Sequence, residues 1–84
     1  MDKEAVRTRL ERVFRDFFDD SSIALSDETT ARDIKGWDSI VHVTLIAAVE
    51  RHFGVRLTTR QILGLNTVGD LARLLEDKLG GREA

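Results

Sequence analysis

Residues 36–54 read GWDSIVHVTLIAAVERHFG, and this stretch decides the fold. It runs without a proline from an Asp-Ser pair to Gly54, a residue that tolerates the left-handed conformation on which helices often end. At about 100° per residue, Leu45, Ile46, Val49 and Phe53 gather on one side with His42 among them, which makes that side the core face. Ile40, Val43 and Ala47 fall roughly opposite, beside Thr44, Glu50 and Arg51. A helix used only for packing should be polar there. Two readings account for the second apolar stripe: a helix sandwiched between neighbours, or a docking surface for another protein. We assign Ile40, Val43 and Ala47, with Arg51 at the edge, to docking.

Upstream, Val6, Leu10, Val13, Phe14, Phe17 and Phe18 recur at spacings of three and four and predict an amphipathic helix over 3–18. Arg7, Glu11, Arg12, Arg15 and Asp16 form its other face, expected to be solvated, with Glu11 and Arg15 placed for a helical ion pair. Residues 19–37 lack long periodicity, and a structureless loop of that length is uncommon inside a compact domain. Ser26 can start a short turn, and Ile23, Leu25, Ile34 and Trp37 are spaced to pin the segment to the core, so an ordered crossover is expected. Downstream, Thr58 caps a helix of one or two turns over 58–63, ended by Gly64. Thr67 and Asp70 form a variant capping box for a helix over 67–79, with Val68, Leu71, Leu74, Leu75 and Leu79 as its inner stripe. Together with the central helix over 38–53, and with strand alternation nearly absent, this predicts an all-α fold: one domain, 1–84, built as a small four-helix bundle with a long first loop and a short third helix.

The bulk composition, 42% hydrophobic and 33% charged, is that of a soluble globular chain. No apolar run spans a bilayer, and the N-terminal MDKEAVRTRLERV has neither an uninterrupted apolar segment nor the acid-poor character of a transit peptide. The cytoplasm is the expected compartment, with no membrane partner. A net charge of −2 gives no broad reason to bind a phosphate backbone, so no nucleic-acid partner is expected. Cysteine is absent, which removes disulfides, thiolate ligands and side-chain thiol chemistry. His42 and His52 have no acidic residues at ligand spacing, and DFFDDSS lacks the glycine and alternating carboxylates of a calcium loop, so no metal site is expected. His42 follows Ser39 by three residues, but no orienting group or oxyanion hole accompanies them, and no catalytic residue is assigned.

A serine at a helix start is most often a cap, and Asp38 can do the same job. The hydroxyl is nevertheless exposed there, and the unpaired N–H groups and positive dipole end of the helix favour an attached phosphate. The position is suited to carrying a phosphoester.

GWDSI, with Gly36, Asp38, Ser39 and Ile40, resembles the attachment motif of acyl carrier proteins and peptidyl carrier domains, in which the serine of an Asp-Ser-Leu-like triplet receives 4'-phosphopantetheine. LIAAVERHFGVRL resembles that family's second helix and its exit, and NTVGDLARLL the start of its last helix; the N-terminal helix matches in pattern only. The resemblance implies a freestanding acyl or aminoacyl carrier, not itself an enzyme. It would hold intermediates as thioesters on a 4'-phosphopantetheine arm, drawn from coenzyme A and attached at Ser39. The missing cysteine fits, since the thiol arrives on the arm. Asp38 either helps a transferase and its metal ion reach the hydroxyl, as in the family, or serves only as the cap.

The implied partners are a phosphopantetheinyl transferase, an acyl- or aminoacyl-loading ligase and downstream biosynthetic enzymes, met by a monomer. In the family the acyl chain can tuck between the second and third helices, which by resemblance places His42 and Ile62 at the cargo entrance. An imidazole nitrogen needing a partner there favours short or polar cargo. Many fatty-acid-synthesis members carry an acidic second helix, whereas this chain has Val41, Thr44 and Arg51 where acids are frequent and retains only Glu50. That departure points to a specialised pathway. The alternative class is a helical interaction module without a prosthetic group.

Overall fold

The apolar stripe at the N-terminus folds as helix α1 (Lys3–Phe18) in the computed structural model, which describes residues 3–80. Val6, Leu10, Val13 and Phe14 are buried, and Phe17 and Phe18 pack at the margin of the core. The helix closes on Asp19 at φ 53°, with the Asp20 N–H donating to the Arg15 carbonyl at 3.0 Å. This is the left-handed ending usually given to glycine, and aspartate is among the few other residues that tolerate it.

Helix α2 (Ser39–Phe53) is capped at both ends: Asp38 closes its start, and Gly54, at φ 68°, donates its N–H to the Glu50 carbonyl at 2.8 Å. Helix α3 (Thr59–Leu63) begins with a capping box. There the Gln61 N–H donates to Thr58 Oγ1 at 3.1 Å and the Thr58 N–H to Gln61 Oε1 at 2.9 Å. Helix α4 (Val68–Gly80) has the Thr67–Asp70 pair in the same reciprocal arrangement. The architecture is all-helical with four α-helices, a long first loop and a short third helix, and there is no strand among the described residues. No helix among them is long and apolar enough to cross a membrane.

Leu45, Ile46, Val49 and Phe53 of α2 join the α1 stripe and Val68, Leu71, Ala72 and Leu75 of α4 in one apolar cluster. Leu74 and Leu79, expected in the inner stripe of α4, are only partly buried, and Ala72 takes a place in the core instead. Helix α3 is too short to own a buried face and has no buried residue. Its N-terminal approach is anchored by buried Val55 and Leu57 and by the Glu50 carboxylate, which accepts the Leu57 N–H at 2.7 Å.

The loop between α1 and α2 is ordered by its own turns and by α1. A turn at 26–29 and a 3-10 helix at Ala31–Asp33, capped by Thr30, break it into short spans. Ile23, Leu25 and Ile34 are buried beneath it. The polar face of α1 is solvated at Arg12 and Asp16, as expected, but Arg7, Glu11 and Arg15 depart from that expectation and are half-buried against the loop. Arg7 and Lys3 pair with Asp27, Glu11 accepts the Leu25 N–H at 2.9 Å, and Arg15 donates to the Ile23 carbonyl at 2.7 Å while pairing with Glu11 at 3.2 Å. The physical reason is that an irregular loop laid on a core carries backbone groups with no ladder partner, and long charged side chains satisfy them. The start of α4 completes the same job, with Val68 N–H donating to the Thr29 carbonyl at 2.8 Å and Gly69 N–H to the Asp27 carbonyl at 3.0 Å.

Candidate functional site

The site sits where that loop turns into α2. Gly36 adopts φ 93°, where a β-carbon would meet the Phe18 ring at 3.7 Å, and the following Trp37 packs edge-on against Phe14 at 5.2 Å between ring centroids. The chain therefore enters α2 from a fixed anchor. Asp38 Oδ1 accepts both the Ile40 N–H, at 3.0 Å, and the Val41 N–H, at 2.8 Å, so the aspartate is the cap. Ser39 is the first residue of the helix, exposed, and its hydroxyl makes no hydrogen bond to any described residue. Capping thus leaves the serine free.

His42, one turn further on, bridges three segments. Trp37 Nε1–H donates to His42 Nδ1 at 3.1 Å, which forces the remaining ring proton onto Nε2, and Nε2–H donates to the Ile62 carbonyl at 3.2 Å. The indole and imidazole lie within 19° of parallel with centroids 5.9 Å apart, the side-by-side placement that an in-plane hydrogen bond needs. The imidazole therefore presents no free nitrogen to cargo, and the expectation that it would favour polar cargo loses its physical basis.

Beside Ser39 opens a cavity of about 300 Å³. Trp37, His42, Val43, Leu63, Leu65 and Leu71 give it mainly apolar walls, and Asp38, Ser39, Asn66 and Thr67 contribute polar groups. Of the two residues placed at the cargo entrance from sequence, His42 lines this cavity and Ile62 does not. Ile62 contributes its carbonyl, while its side chain packs against the core; Leu63 and Leu65 take the wall position instead. A helix of five residues offers too little periodicity to decide between Ile62 and Leu63 from sequence.

On the outer side of α2, Ile40 is 82% exposed and Val43 57%, and Ala47 and Arg51 are also exposed. Leu63, at 72%, joins them as an exposed large apolar residue that the sequence reading did not single out. Glu50 is tied to the loop before α3. Arg51, Arg56 and Arg60 make no ion pair with a described residue. The carboxyls held below their ordinary range all serve the scaffold: Asp20 through Ser22, Asp27 through hydrogen bonding from Lys3 and the nearby Arg7, and Asp70 through the Asn66 N–H. Among the described residues no group of three or more histidines and carboxylates is arranged to hold a metal ion.

A free hydroxyl at a capped helix start, beside an apolar cavity, fits a phosphate-linked arm. The family model described as "Phosphopantetheine attachment site" matches residues 8–75. An acyl carrier protein of Saccharopolyspora erythraea is 30% identical over 92% of this chain and 81% of its own length. The nonribosomal peptide synthetase malG of Malbranchea aurantiaca is 37% identical over 76% of this chain, which spans only 3% of that synthetase. Among solved structures, the holo acyl carrier protein from Geobacter metallireducens superimposes with a TM-score of 0.85 and 40% identity, covering 93% of this chain and 90% of that one. With most of its length matched by the family model and its fold shared with an acyl carrier protein, this chain belongs to the phosphopantetheine-binding carrier protein family.

Proposed function

We propose that Ser39 Oγ is the attachment point of the 4'-phosphopantetheine group and that the chain carries acyl or aminoacyl intermediates in a biosynthetic pathway. The observation that carries this reading is the division of labour at the start of α2: Asp38 alone caps the helix, and Ser39 is exposed with an unengaged hydroxyl. The remaining positive end of the helix dipole stabilises a phosphate held there. When bound, the group supplies a thiol on a flexible arm, the function that a chain without cysteine cannot provide itself. Trp37, Val43 and Leu63 offer apolar walls to whatever lies along the cavity.

The chain is a carrier and leaves the chemistry to its partners. His42 cannot serve as the base for Ser39, because its Nδ1 lone pair is engaged by Trp37 and its Nε2 bears the proton given to Ile62. The transferase must therefore remove the serine proton. Asp38 Oδ2 makes no hydrogen bond to a described residue and is available to a metal ion that the transferase brings. Ile40, Val43 and Ala47, with Leu63 beside them and Arg51 at the edge, form the face on which the transferase, a loading ligase and later enzymes dock. Its poverty in carboxylates favours partners other than general fatty-acid enzymes with basic docking patches.

The test is incubation with a broad-range phosphopantetheinyl transferase and either coenzyme A or acetyl-coenzyme A. The expected result is a mass increase by one arm in the wild type and none in Ser39→Ala, with the acetyl group released by neutral hydroxylamine as a thioester is. A folded wild-type protein that no transferase modifies would overturn the reading.

A further inference from the structure

Given attachment at Ser39, on which this inference rests, we propose that His42 determines the size of cargo the protein shelters: it clasps α3 onto α2 and holds the cavity to short acyl or aminoacyl groups. Helix α3 has no buried residue, and among the described residues no hydrogen bond other than His42 Nε2–H to the Ile62 carbonyl ties Thr59–Leu63 to a neighbouring helix. The Glu50–Leu57 bond holds only the chain before it. Trp37 makes the clasp directional. By donating to Nδ1 it fixes which nitrogen is the donor, and the near-parallel rings aim that donor at α3.

The cavity meets this clasp from inside. Trp37, His42, Leu63 and Leu65 all line it, so one imidazole joins the loop, α2 and α3 around the same space. An apolar cavity of about 150 Å³ takes one benzene-sized group. At about 300 Å³, open on one side beside Ser39, this cavity houses a short cargo together with part of its tether. A longer chain has room only if α3 swings away from α2. That movement pulls the Ile62 carbonyl off His42 and strands a half-buried N–H, which biases the equilibrium against opening. Short cargo enters with the clasp closed and incurs no such penalty.

The experiment loads wild type, His42→Leu and Trp37→Phe with butyryl and octanoyl groups, delivered from their coenzyme A esters by a broad-range transferase and confirmed by intact mass. Two quantities are read: the rate of thioester cleavage by hydroxylamine relative to the same thioester on free pantetheine, and amide exchange across Thr59–Leu63 compared with α2 and α4. In the wild type, butyryl should be protected and octanoyl should not. His42→Leu should raise octanoyl protection and speed α3 exchange, each by about five- to tenfold, the effect of one net hydrogen bond. Exchange in α2 and α4 should stay unchanged, which a general loss of structure would not allow. Trp37→Phe, which keeps a ring against Phe14, should shift both quantities in the same direction. Should His42→Leu fail to fold, the wild type still decides: octanoyl protected as well as butyryl, with α3 exchange no faster than in the butyryl form, refutes the clasp. Equal octanoyl protection in fully loaded wild type and variants also refutes it while leaving attachment intact. Absence of any adduct on the wild type removes both.

Discussion

Replacing Asp38 and Ser39 separately should divide stability from chemistry. Asp38→Ala deletes the acceptor of two N–H groups, at 3.0 and 2.8 Å, and a negative charge at the positive end of α2. Loss of an N-cap typically costs about 1 kcal/mol, and the charge–dipole interaction adds a few tenths more at an exposed site, so the total is about 1–2 kcal/mol. For a domain of this size 1 kcal/mol moves Tm by about 4–8 °C, which places the expected drop on the order of 10 °C. Asp38→Asn keeps a competent cap and should lose only the charge contribution. Ser39→Ala removes a hydroxyl with no partner and should stay within about 0.5 kcal/mol of wild type. Thermal and urea unfolding followed by far-ultraviolet circular dichroism measure all three. A Ser39→Ala protein as destabilised as Asp38→Ala would show that the serine caps the helix, and the argument for a free hydroxyl would fail.

Three further outcomes test the scaffold and the docking face. Gly69→Ala would place a β-carbon 2.8 Å from the Asp27 carbonyl oxygen, against which Gly69 also donates, so it should cost about 1–3 kcal/mol in urea unfolding; unchanged stability would contradict the packing of α4 on the loop. Val43→Glu charges a residue that is 57% exposed, and it should slow the transferase several-fold while moving Tm little; a large loss of stability with normal modification would place Val43 in the core. Asp27 is held below the ordinary carboxylate range first by Lys3 and then by Arg7, so its stabilising effect is complete above about pH 4 and is lost as pH falls through its lowered folded value. Asp27→Asn should therefore be less stable than wild type at neutral pH and converge with it in acid, and a gap that persists at low pH would refute the pairing.

Much of the fold is legible because its determinants are local. Asp38, Thr58, Thr67 and Gly54 carry capping chemistry within four residues of themselves, and the α2 core face follows from a period that fifteen residues are long enough to express. The 3-10 helix at Ala31–Asp33 is not legible in that way, since three residues carry no period. Nor is the use of Arg7, Glu11 and Arg15 as props for the loop. Their spacing places them on one face, but only the folded chain shows that Asp27, Leu25 and Ile23 lie opposite with backbone or carboxylate groups to satisfy. At the site, Ser39 stands out from its motif and its place at a helix start. The state of His42 does not, because both partners of its ring, Trp37 and the Ile62 carbonyl, are brought together by tertiary packing. A neutral, doubly engaged histidine and a polar mouth look the same in sequence.

The most direct test of the central claim is the location of the adduct after coenzyme A and a phosphopantetheinyl transferase have acted on the wild-type protein. The chain has four serines, Ser21, Ser22, Ser26 and Ser39, and all are exposed. Trypsin cuts after Lys35 and Arg51, releasing a peptide, residues 36–51, in which Ser39 is the only serine. Fragmentation of that peptide should place the whole phosphopantetheine mass on Ser39, with every other serine peptide unmodified. An adduct on Ser21, Ser22 or Ser26, or on Thr44 within the same peptide, would contradict the account.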